Sequence, residues 1–111
     1  MALTPEKKVK NKVVQLLKKY DAYYFFPASY GMGRSGVPDV VCCYSSKFIG
    51  IECKAGKNKA TSLQLKELAA IRGAGGDTFI INEENVGVLE EYLKSYAQHP
   101  QNFDQPDGQP S

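Results

Sequence analysis

A chain of 111 residues, 42% of them hydrophobic, is long enough to bury one core and too short for two. It has no apolar run of about eighteen residues, and Met1-Ala2-Leu3 leads straight into a lysine-rich stretch, so neither a membrane span nor a signal segment is expected, and a soluble, cytoplasmic protein is. The formal net charge of +2 conceals a division, 13 Lys and Arg against 5 Asp and Glu in residues 1–72 and 1 against 7 in residues 73–111, which fits a polyanionic partner bound on one side as well as ordinary clustering of solvated charge.

Thr4 and Pro5 predict a helix start, a capping hydroxyl followed by proline at the first helical position, and the helix should run to about Tyr20. Val9, Val13, Leu16, Leu17 and Tyr20 fall in one sector, with Lys7, Lys8, Lys10, Lys12, Lys18 and Lys19 outside it. Glu6 lies inside the apolar sector. A carboxylate there either complements the helix dipole or reaches a site beneath the helix. Tyr23 to Phe26 reads as a short buried strand. The loop Pro27 to Gly36 holds Gly31, Gly33 and Gly36 and can lie against a sugar-phosphate chain, with Arg34 on a phosphate and Tyr30 on a base or sugar, or can be a plain connector.

Val37 to Tyr44 and Lys47 to Ala55 predict a hairpin turned at Ser45-Ser46. With that turn Tyr44 faces Lys47, Val40 faces Ile51, and Asp39 faces Glu52. Lys54 shares the face of the two carboxylates while Cys53 points away. Opposed like charges repel, so a cation between Asp39 and Glu52 is expected, and hard oxygen ligands with room for water suit Mg²⁺ or Mn²⁺. The plain alternative is a surface ion pair of Glu52 with Lys54 on an edge strand. Cys42, Cys43 and Cys53 are odd in number and lack C-x-x-C spacing. They argue against disulfides and a zinc site and read as small buried hydrophobes.

Gly56 to Thr61 is a short basic loop carrying Lys57 and Lys59. A helix follows from about Ser62 to Arg72, with Leu65, Leu68, Ala69 and Ile71 inward. Thr61 and Gln64 fit a capping box. Gly73-Ala74-Gly75-Gly76 stops this helix, and Thr78 to Ile81 should add a strand parallel to the hairpin's second arm. A last helix from about Glu84 to Ala97 shows Val86, Leu89, Leu93 and Tyr96 on one face. Residues 98–111 are rich in Gln, Pro and Asp and are expected to be a disordered tail, with His99, the only histidine, no catalyst.

Gly36-Val37-Pro38-Asp39, then Glu52-Cys53-Lys54 and a downstream Gln64, resemble the PD-(D/E)XK nuclease motif, and more narrowly the VRR-NUC family of virus-type replication-repair nucleases. The likeness runs from about Glu6 to about Leu93. It implies an α/β, restriction-endonuclease-like core over residues 1–97, in α-β-β-β-α-β order with a mixed sheet flanked by helices, plus a C-terminal helix. It also implies that Glu6 and Gln64 stand beside the metal, binding it directly or through water.

Metal-assisted hydrolysis of a phosphodiester is the expected chemistry, with Asp39, Glu52 and the Cys53 backbone carbonyl holding the ion and Lys54 beside the attacked phosphate. The absence of a Ser/His pair argues against a covalent route. Lys7, Lys8, Lys57 and Lys59, with Tyr30 and Arg34, are the candidate DNA contacts. The family's small stand-alone viral members imply a homodimer acting on branched DNA such as Holliday junctions, joined through the apolar face of the last helix or through the first helix and its following strand. Two other readings remain: a nucleic-acid-binding module without catalysis, and a nuclease subunit of a larger restriction or repair complex.

Overall fold

The computed structural model describes residues 3–28 and 34–97. Tyr30, His99 and the expected tail at 98–111 lie outside the described residues. Helix α1, Pro5–Lys19, starts as its residues predict, Thr4 Oγ1 accepting the Lys7 N–H at 3.2 Å. Then come β1 (Tyr23–Phe25), β2 (Val40–Tyr44), β3 (Lys47–Cys53), α2 (Ser62–Gly73), β4 (Asp77–Ile81) and α3 (Val86–Ala97). Helix α3 begins two residues later than expected because Asn82 and Asn85 bond each other's backbone in a closed turn: Asn85 Oδ1 accepts the Asn82 N–H, and Asn82 Oδ1 accepts the N–H groups of Glu84 and Asn85.

The four strands form one mixed sheet in the order β1-β2-β3-β4, antiparallel through β3 and parallel between β3 and β4. Ser45 and Ser46 both have positive φ, 53° and 67°, the signature of the two-residue turn whose twist suits a hairpin. The register follows: Tyr44 pairs with Lys47 and Val40 with Ile51. One face of the sheet carries the main core, where Val9, Val13 and Leu17 of α1 and Leu89 and Leu93 of α3 close over Val40, Cys42, Ile49, Ile51, Cys53 and Ile81. Helix α2 lies on the other face, where the missing Cβ of Gly50 leaves space that Ile71 fills. No helix among the described residues is long and apolar enough to cross a membrane.

Four expectations are corrected. Leu65 is 50% exposed and Ala69 is also exposed, so α2 presses on the sheet chiefly through Leu68 and Ile71. One narrow helix cannot cover its face of four strands, and the uncovered part leaves Cys43 exposed rather than buried. For the same reason β1 is no buried strand: it is the sheet's outer strand, and Tyr23 is 71% exposed. Last, the apolar face of α3, expected as one side of a dimer, has Leu89 and Leu93 fully buried in the core of the same chain.

Candidate metal and nucleic-acid site

Ladder pairing between β2 and β3 stops at Val40–Ile51, so Asp39 stands one residue outside it, directly after Pro38, which has no N–H to donate. Its side chain takes over from the missing strand: Asp39 Oδ2 accepts the Cys53 N–H at 2.8 Å. The next residue turns to the other edge, Lys54 N–H donating to Ile81 O at 2.9 Å. Peptide groups along a strand face alternate edges, so the Cys53 carbonyl is directed to the same side as its N–H, toward Asp39.

Glu52 sits on β3, an interior strand, and Lys54 directly follows that strand, with 1% and 9% of their surface exposed. A surface ion pair on an edge strand is thereby overturned. Lys54 Nζ stands 3.6 Å from Glu52 Oε2, and Glu52 Oε1 is buried without a hydrogen-bond partner. Burial pushes the Glu52 carboxyl up to about 7; the negative charge of Asp39 pushes the same way and Lys54 opposes it. The two acids are close enough for the charge of Asp39 to be felt at Glu52.

Above Asp39 and Cys53 opens a cleft of about 500 Å³, walled by the first turns of α1 and by Ala55 and Asn58. Glu6 and Lys7 line it, so the carboxylate on the apolar sector of α1 is turned into this space rather than merely facing solvent. Lys8 does not; it lines a smaller hollow with Lys12 and Glu83. Lys57 and Lys59 are exposed on either side of Asn58. Gln64 closes the capping box, its Oε1 accepting the Thr61 N–H at 2.8 Å and its own N–H donating to Thr61 Oγ1. It is not among the cleft-lining residues. Arg34 forms a bidentate pair with Glu67 of α2 at 2.9 to 3.1 Å and belongs to the groove on the α2 face.

Sequence reasoning missed three residues. Lys10 falls outside the apolar sector of α1 yet lines the cleft, and its spacing of one turn from Glu6 is the signal the sequence carries. Asn58 was hidden between two lysines. Glu83 had no local signal: both its carboxylate oxygens accept the Gly56 N–H at 3.0 Å, pinning the turn that follows Lys54.

Hard oxygen donors suit this place. A small divalent cation needs only one or two carboxylates when water and substrate oxygens complete its shell, and Glu52 Oε1, buried without a hydrogen-bond partner and near the Asp39 charge, is an oxygen of the kind it takes. The neighbouring Cys53 thiol, pushed up to about 12 by burial, stays protonated and offers no soft ligand. Among the described residues no group of three or more His, Cys, Asp and Glu side chains is arranged to hold a metal.

No protein-family model matches the chain, and no curated protein matches its sequence. Fold and site together define a mixed α/β protein in which Asp39 lines a cleft with Glu6, Lys7 and Lys10, while Glu52 and Lys54 lie buried and outside the lining of that cleft.

Proposed function

We propose that this chain is a Mg²⁺- or Mn²⁺-dependent DNA nuclease with a PD-(D/E)XK core of the VRR-NUC type, a structure-selective endonuclease for branched DNA such as Holliday junctions. The observation that carries the reading is Glu52, a carboxylate kept inside the sheet beside Asp39 and Lys54 with one oxygen unpartnered. Stability alone gives no reason for it, because a well-packed apolar side chain is the better occupant of such a position.

Asp39, Glu52 and the Cys53 carbonyl would hold the ion, with Glu6 reaching it from across the cleft, directly or through water. Once bound, the ion supplies Lewis acidity, making water more acidic and drawing charge from a phosphoryl oxygen. Asp39 is kept in position by the Cys53 N–H. Lys54, buried against Glu52, orients the attacking water or offsets charge developing on the phosphate. Lys7, Lys8, Lys57 and Lys59 attract the DNA backbone. Two copies would present two sites to opposing strands, joined at the exposed side of β1. The protein would work in the cytoplasm of its cell, the host's if it is viral.

The test is cleavage of matched duplex, flap, single-stranded and four-way-junction DNA with Mg²⁺, Mn²⁺ and EDTA. D39A, E52A and K54A should each fold and lose divalent-dependent cleavage by about a hundredfold or more, the range seen when one stabilising group is removed from a reacting centre. Wild-type turnover in E52A would end the assignment. The burial of Glu52, which does not line the cleft, favours a second reading, a DNA-binding module without catalysis. Calorimetric titration with Mg²⁺ separates the two, since heat that vanishes in E52A belongs only to the first.

A further inference from the structure

Lys10 is the charged residue on the cleft wall that the chemistry above leaves unused. It stands one turn beyond Glu6 on α1, and both side chains line the space over Asp39 and Cys53. Its positive charge is felt at the Cys53 thiol. Its ammonium lies 4.2 Å from the centre of the Phe26 ring, and among the described residues no carboxylate comes within ion-pair distance of it. Lys19 and Arg34, by contrast, are bound to Glu90 and Glu67.

A cation resting on an aromatic face is held in place by a contact weaker than a charge-assisted hydrogen bond, so an arriving phosphate oxygen can displace the ring. Lys54 cannot serve the same purpose, because it is buried against Glu52. Lys7, Lys57 and Lys59 are exposed, so their attraction is more strongly screened and positions the strand less sharply. Lys10 is half-buried, with its direction set by Phe26.

We infer that Lys10 is a phosphate anchor: its ammonium takes a non-bridging oxygen of the backbone phosphate next to the one presented to Asp39 and Glu52, and so sets the register of the strand over the acid pair. Phe26 holds the ammonium until the strand arrives. This assignment rests on the nuclease reading and names a positioning residue within it.

The experiment uses the full chain with K10M, K10R, F26L and E52Q, on a four-way junction and a duplex. Binding is measured in Ca²⁺ across a salt series, cleavage in Mg²⁺ under single turnover, and folding by melting temperature. K10M should melt like wild type, lose about tenfold in kcat/KM, and reduce the slope of log affinity against log salt by about one, as expected for a lost phosphate contact. K10R should recover most of both losses, and F26L should show a smaller effect in KM alone. K10M behaving like wild type while E52Q is inactive overturns the Lys10 assignment and leaves the nuclease reading intact. E52Q cutting like wild type removes the nuclease reading, and the salt slope still reports on Lys10 because it is read from binding alone. Equal losses in K10M and K10R with lowered melting temperatures make Lys10 structural and overturn the inference, with K10Q taking the place of K10M should K10M fail to fold.

Discussion

Glu52 is held in a conflict that pH exposes. Burial and the negative charge of Asp39 raise its carboxyl from 4.5 to about 7, and Lys54 only partly offsets them. Between those two values the unfolded chain has lost the proton and the folded chain keeps it. Metal-free stability therefore falls as pH rises from about 4.5 to about 7 and is level above, with a total on the order of 3 kcal/mol. Urea unfolding in EDTA at pH 5 and pH 8 should show this fall in wild type and a much flatter response in E52Q. Mg²⁺ at pH 8 should restore the loss in wild type and do little for E52Q. A pH profile identical in the two proteins would place the conflict elsewhere.

At the scale of elements, the β2–β3 hairpin was legible because everything that decides it is local. Two residues between the arms leave one register, and alternating side chains carry that register to Val40–Ile51. Ser46, at φ 67°, is held where a side chain is costly. S46G should raise stability by about 1 kcal/mol, seen as a higher urea midpoint at unchanged slope. Helix α2 was less legible: its ends follow from Thr61, Gln64 and the glycines after Arg72, but its buried side does not follow from its pattern of apolar residues. What seats it is contact with Gly36 and Gly50. A Cβ on Gly36, at φ 77°, would meet the Leu63 carbonyl group at 2.7 Å. G36A should therefore destabilise by about 2 kcal/mol and slow cleavage by shifting the segment that ends in Asp39, with no site side chain altered.

Over the whole molecule, the basic front is not uniform. Lys7 faces the cleft, whereas Lys8 shares its hollow with Glu83. K7A should weaken binding to every DNA sequence and flatten the salt dependence more than K8A does, as fluorescence anisotropy across a salt series would show. Equal slopes would mean that DNA does not run along the cleft. The uncovered row on the α2 face is the other large-scale feature: Tyr23 pairs with Cys43 and Cys43 with Phe48 across β1, β2 and β3, and all three are exposed. If two copies join there, Y23K/F48K should halve the mass in solution without unfolding the protein, a result that light scattering reads directly.

By itself the sequence determined the order of the elements, the hairpin turn and its register, and the nearness of Lys54 to Glu52. Caps, turns and side-chain alternation act within a few residues, so they are written locally. Only the tertiary structure decided which sides are covered: that Glu52 and Lys54 are buried, that Lys10 and Glu6 line a cleft with Asp39 while Arg34 is tied to Glu67, and that Tyr23 and Cys43 are left open. Burial depends on which distant segment crosses a given face, and with α1 and α3 on one face and only α2 on the other, identical alternation ends in core on one side and in open surface on the other.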